Sequence, residues 1–110
     1  PYRYYYDTSA KAPMLDKIRQ MRPEYQSVPY MQGFLAAMLF AEAAKRTIEA
    51  KKELNGKNLK AALNTIKDFD TGGLIGVPIT IKGNSIPVGR IYKADMKQQK
   101  MVAASDWITL

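Results

Sequence analysis

The sequence predicts a mixed α and β fold with its helices first and its strands last. Three observations carry this. Apolar residues recur at three- and four-residue steps as far as Ile66, the period falls to two after Phe69, and prolines or glycines mark most of the changes. Taken in order, residues 3–6 are aromatic and β-prone but too short to assign, and Asp7, Thr8 and Ser9 read as a turn and helix N-cap region. Met14, Leu15, Ile18 and Met21 give the apolar face of a first helix, with Pro13 tolerated in its first turn and Pro23 stopping it.

From Tyr30 a long helix follows, with Phe34, Ala37, Met38, Ala41, Ala44 and Ile48 on one face and Glu42, Arg46, Glu49 and Glu53 on another. Leu35, Leu39 and Phe40 widen its first half, which predicts burial there on more than one side. Asn55-Gly56 is expected to close it, because both residues accept the left-handed conformation. A third helix is predicted over 58–67, burying Leu59, Ala62, Leu63 and Ile66. Beyond Phe69, Val77, Ile79 and Ile81 alternate with Pro78, Thr80 and Lys82, which predicts a strand at a sheet edge. Residues 82–85 read as a turn or crossing point, 88–93 and 100–104 as two more strands, and Trp107-Ile108 as an apolar tail. So little sheet for so apolar a helix implies that the chain needs a partner surface.

Composition narrows the chemistry. The 110 residues include neither cysteine nor histidine, so thiolate or imidazole catalysis, Cys/His zinc sites and disulfides are outside this chain's means. No apolar run reaches the ~18–20 residues of a membrane span. The formal charge of +7 raises the possibility of nucleic acid. Lys45, Arg46, Lys51, Lys52 and Lys57 alternate with Glu49 and Glu53 at helical spacing, however, which reads as a solvated helix face. Asp68 and Asp70 flank a helix end and read as turn residues rather than a catalytic pair, and Ser105-Asp106 lacks a histidine to form a triad. No metal site, cofactor or enzymatic activity is expected.

The stretch FDTGGLIGVPITI (69–81) invites a nucleotide reading that its spacing refuses. Gly72, Gly73 and Gly76 fit neither G-x-G-x-x-G nor a P-loop, and they precede a predicted strand where phosphate loops open a helix. A glycine turn is the better account. Tyr30, Met31 and Gln32 at the start of the long helix could line a pocket or form an N-terminal staple on the core. Tyrosines 4, 5 and 6 are similarly open, since at most two of three can share one side of an extended segment.

Taken together, SVPYMQGFLAAMLFAEAAKR, then NGKNLKAALNTIKDFDTGGLIGVPITI, then GRIYKADMKQQKMVAASDWITL, resemble the C-terminal part of the substrate-binding proteins of ABC transporters. The likeness is to the type I, branched-chain amino acid (Leu/Ile/Val-binding) family. It implies an α/β, two-lobed fold of which this chain is roughly the last third, an expectation that its start at Pro1 and the mid-protein look of PYRYYYDTS also favour. Residues 1–82 then belong mainly to the N-terminal lobe, 83–88 cross the hinge at Gly83, Asn84 and Pro87, and 89–110 add strands to the other lobe. The implied function is capture of an amino acid, amide or aromatic acid between the lobes, without chemical change, for delivery to a membrane permease in the periplasm or another extracytoplasmic space. The carried-over ligand contacts are Tyr30, with Gln32 and Met31 beside it. A sensor or receptor domain of the same fold is the alternative, and a small basic nucleic-acid-binding protein a remoter one. The apolar faces imply cover by the rest of the same protein or by a second copy, including a swapped dimer.

Overall fold

A computed structural model describes residues 2–8 and 10–110. Helix α1 runs over Pro13–Met21, α2 over Val28–Glu49 and α3 over Gly56–Leu63. Four short strands follow: β1 Val88–Gly89, β2 Tyr92–Asp95, β3 Lys100–Ala103 and β4 Ile108–Thr109. They form two separate antiparallel pairs, β1 with β4 and β2 with β3. The observed class is mixed helix and short antiparallel strand, which is compatible with an α/β protein.

Helix α1 begins at a proline, whose missing N–H has no intrahelical partner to lose. Its N-cap is Ala12, without a side-chain cap, so the predicted cap at Asp7 or Thr8 is displaced, and Ser9 lies outside the described residues. A distant loop takes over: the Gly72 carbonyl accepts from the Met14 N–H at 2.8 Å, satisfying one of the orphan donors. The opposite end of α1 holds the N-terminal segment. Arg19 donates to the carbonyls of Tyr5 (2.7 Å) and Asp7 (2.6 Å) and pairs with Asp16, while the Tyr5 hydroxyl donates to the Arg22 carbonyl.

Helix α2 stops earlier than expected. Lys51 takes the left-handed conformation (φ 55°), donating to Ile48 at 2.9 Å, while Lys52 donates back to Thr47 at 3.1 Å. This is a Schellman ending with lysine in the place usually held by glycine. Asn55 and Gly56 open α3 instead of closing α2. The Asn55 side chain accepts from the Asn58 N–H at 2.9 Å, a capping role for which a short polar side chain is as well suited as for a C-terminus. Arg46 then ties α2 to the end of α3, pairing with Glu42 and donating to Thr65.

The predicted strand over 77–81 is reduced to one antiparallel bridge, Phe69 with Ile79. The alternation is real, since Ile79 is buried and Pro78 exposed, but no neighbouring strand is present among the described residues to continue the ladder. The predicted strand over 88–93 is likewise split. Val88 and Gly89 pair with Thr109 and Ile108, then the backbone changes partner, so that Tyr92 pairs with Ala103. Ser105 accommodates the change by accepting from the Ile91 N–H through its hydroxyl and from Arg90 Nε through its carbonyl.

The core joins Leu15 and Ile18 of α1, Met31 and Leu35 of α2, Leu74, Ile75 and Ile79 of the glycine loop, and Tyr5 and Val88. Only one face of α2 is covered. Leu35 is buried, whereas Phe40 is 59% exposed and Ala36, Ala37 and Ala41 are open to solvent, which corrects the expectation of burial on more than one side. The radius of gyration is 15.6 Å, against about 13 Å for a compact domain of this length. The accessible surface is 7257 Å², against about 6,100 Å² for a monomer of this mass. The difference of about 1,100 Å² is of the order that one partner contributes to a stable interface.

Candidate ligand-binding site

The glycine stretch FDTGGLIGVPITI folds as a packed turn. Asp70 Oδ1 accepts from the Gly72 N–H at 2.8 Å, closing the turn on itself. The buried Thr71 hydroxyl exchanges two hydrogen bonds with the Ile75 backbone, at 3.0 and 3.1 Å. Gly73 (φ 90°) lies so close to α1 that a Cβ there would sit 2.5 Å from the Ala12 Cα. At Gly76 a Cβ would fall on the Trp107 indole. The glycines are spent on close packing, and the Gly72 amide is already engaged. Asp68, with φ 51° and its N–H donating to Thr80, is also a turn residue.

The residues expected to touch ligand do not share one surface. Successive helical positions point about 100° apart. Met31 is fully buried in the core, Tyr30 packs partly against it, and Gln32 is exposed. In this chain Met31 belongs to the core cluster that also holds Leu15, Ile18, Leu74 and Ile79. Tyr30 and Gln32 stay at the surface of the helix start. At the expected hinge, Lys82 and Ser85 bridge a tight turn in which Gly83 has φ 59°, and the Pro87 carbonyl accepts from the Leu110 N–H at 2.8 Å. Gly83 and Asn84 are exposed and Pro87 is half-buried.

Two concavities are better formed. The first is a cleft of about 300 Å³ between the N-terminal segment and the β2–β3 hairpin. Residues 4–7 form a turn closed by the Asp7 N–H donating to the Tyr4 carbonyl at 2.9 Å; Tyr4 and Tyr6 both line the cleft, while Tyr5 is buried in the core. Their rings are nearly parallel, with centroids 5.6 Å apart, and Tyr92 meets Tyr4 edge-on at 4.9 Å. The Tyr6 hydroxyl locks the segment to β3, donating to the Met101 carbonyl at 3.0 Å and accepting from the Met101 N–H at 2.9 Å. Lys100 places its ammonium 5.2 Å from the Tyr6 ring centre. A more open hollow of about 500 Å³ shares Tyr4, Tyr6 and Lys100 and adds Tyr25, which lies nearly parallel to Tyr6 at 6.3 Å.

Tyr92 also joins a polar cluster. Arg3 and Arg90 stack on the Trp107 indole at 5.7 and 5.2 Å, and Arg90 lies 5.7 Å from the Tyr92 ring. Arg3 pairs with Asp7 at 3.2 Å. Arg3 Nε, Arg90 Nη1 and the Tyr92 hydroxyl are nonetheless buried without a hydrogen-bond partner among the described residues. Burial pushes the Tyr92 hydroxyl pKa up, and the Arg90 guanidinium offsets part of that although it makes no well-aligned bond to the oxygen. Tyr6 is raised for the same leading reason, burial, against the opposing hydrogen bond from Met101.

The second concavity is an apolar groove of about 470 Å³ formed by Leu39 and Phe40 of α2, Leu63 of α3, and Ile81 and Ile86 beside the Gly83 turn. Lys45, Lys51, Lys52 and Lys57 are each exposed around the end of α2, consistent with a solvated face. No family model, curated protein or solved structure matches the chain.

The tyrosine run stands out in the sequence, but nothing there joins it to Tyr92 and Lys100. The missing signal is tertiary, because these residues are some 90 positions apart and meet only when Tyr6 seats on Met101.

Proposed function

We propose that the chain is part of an extracytoplasmic solute-binding protein of the type I, branched-chain amino acid family, which captures a small molecule between two lobes and hands it unchanged to an ABC-importer permease. The observation that carries this reading is the run of motifs from YMQG at 30–33 through DFDTGGLIGVP at 68–78 to SDWI at 105–108, in the order of that family. The packing of the glycine loop supports it, since its residues act as a structural turn between helices and the following segments. The succession of helices, a turn at Gly83 and then short strands is consistent with a chain that leaves one lobe near residue 82 and enters another near 89. Closure about Gly83, Asn84 and Pro87 is the corresponding motion. A sensor domain of the same fold is the second reading, since it shares every residue used here.

Thermal-shift screening of the complete natural protein with branched, aromatic and amide-bearing amino acids tests the proposal. A true ligand at a hundred times its Kd stabilises by about 2.7 kcal/mol. Tyr30→Ala is expected to weaken that ligand by roughly tenfold, or ~1.4 kcal/mol. Salt-dependent binding of DNA or RNA with no stabilisation by any small molecule would overturn the reading.

The same proposal assigns the Phe40–Ile81–Ile86 groove to cover by the rest of the protein or by a second copy. The 110-residue chain alone is expected to self-associate in sedimentation or size-exclusion experiments. A cooperative 12.4 kDa monomer at micromolar to millimolar concentration would sink that assignment.

A further inference from the structure

We infer that the exposed face of α2 is a self-association surface, on which a second copy of the chain lays its own α2 antiparallel, about a twofold axis near Phe40 and Ala41. Gly33, Ala37, Phe40, Ala41, Ala44 and Ile48 fall within an arc of about 100° on this helix, away from Met31 and Leu35 in the core. None of the six is charged. All but the half-buried Ala44 are exposed, Phe40 at 59% and Ile48 at 62%. So long an apolar stripe marks an interaction surface rather than a solvated one. The inference rests on the reading above that α2 is covered, and commits that cover to a second copy in one orientation.

The stripe is its own complement. Turned end for end about that centre, Ile48 lies across from Gly33, Ala44 from Ala37, and Phe40 from Ala41. Each large side chain then meets a small one, and a Cβ built at Gly33 meets nothing within 4 Å, so the space for Ile48 is open. In a parallel pair Phe40 and Ile48 would each meet their own copies. Charge selects the same orientation. Residues 28–41 carry no charge, whereas Glu42, Lys45, Arg46 and Glu49 lie in the second half of the helix. Antiparallel pairing lays the charged half of each helix along the uncharged half of the other. Parallel pairing would set Lys45, which flanks the stripe, beside its own copy. The surplus surface of about 1,100 Å² per chain is enough for the ~800 Å² that one partner contributes to a standard interface. An isologous contact of this kind closes on itself at a dimer.

The chain has no cysteine, so single cysteines report the pairing on non-reducing gels after mild oxidation. Ala41→Cys, beside the axis, is expected to cross-link to its own copy. Gly33→Cys and Ile48→Cys should each fail to cross-link alone, since each stands about 22 Å from its own copy, yet a mixture of the two should join. Ala61→Cys, exposed on α3, sets the background. Phe40→Glu puts a charge at the centre of the stripe, at a position already exposed, and should weaken self-association roughly tenfold or more in sedimentation. Gly33→Cys linking as readily as Ala41→Cys would mean a parallel pair and overturn the inference. Ala41→Cys linking no better than Ala61→Cys, or undiminished association of the Phe40→Glu chain, would overturn it too. If the chain self-associates in any of these cases, this pairing falls while the cover of α2 stands, whereas a cooperative monomer up to millimolar concentration removes both. The transport reading is tested separately by ligand screening, which none of these results decides.

Discussion

Gly73→Ala is expected to destabilise the protein by roughly 2–5 kcal/mol, a large share of the ~5–15 kcal/mol that holds a domain together. Two costs add. The backbone at φ 90° is one that alanine adopts only under strain, and the new Cβ would stand 2.5 Å from the Ala12 Cα and Cβ at the head of α1. A backbone atom cannot swing aside as a long side chain can, so relief requires the loop and α1 to part. Their separation would also loosen the Met14-to-Gly72 hydrogen bond. Urea unfolding followed by circular dichroism measures the loss as a lower midpoint at unchanged slope. Gly33 supplies the contrast. It lies in α2, where an added Cβ would meet nothing within 4 Å, so Gly33→Ala should gain ~0.5–1 kcal/mol from helix propensity. Equal effects at the two sites would mean that the loop does not pack on α1 as described.

Leu35→Ala should cost ~2–5 kcal/mol, since Leu35 is 1% exposed within the core cluster it shares with Leu15, Ile18, Met31 and Leu74, and alanine leaves a cavity there. Phe40→Ala removes a larger side chain five residues on. It should cost within ~0.5 kcal/mol in the dissociated chain, because the ring is already 59% exposed. The pair reads out what covers α2. If another surface closes over the groove, Phe40→Ala will become costly as concentration rises, whereas the Leu35→Ala penalty will not change. A Phe40→Ala cost equal to that of Leu35→Ala at the lowest concentration would contradict the one-sided burial of α2.

The helices are legible in the sequence because their evidence is local. Pro13 at the head of α1, the spacing of Leu15 and Ile18, and the run from Phe34 to Ile48 need nothing outside their own few turns. Helix ends are less legible. Lysine at 51 taking a left-handed ending is permitted by sequence but not demanded by it, and Asn55-Gly56 suits the start of a helix as well as its end. The strands are legible as alternation and illegible as partners. Val77, Ile79 and Ile81 have the right period, yet one bridge to Phe69 is all that the described residues offer them. The site divides in the same way. Tyr30 and Gln32 belong by pattern to a helix start and are placed there, while Met31 follows its helix face into the core.

For this protein, sequence by itself determined the helical segments, the turn character of the glycine stretch and the absence of thiol and imidazole chemistry, because each depends on residue type and short-range spacing. Tertiary structure alone decided that Gly72 caps α1, that Gly76 makes room for Trp107, and that Tyr4 and Tyr6 meet Tyr92 and Lys100 around a cleft. Those relations join residues tens of positions apart. They follow from which surfaces the folded chain brings into contact, and no local periodicity encodes that.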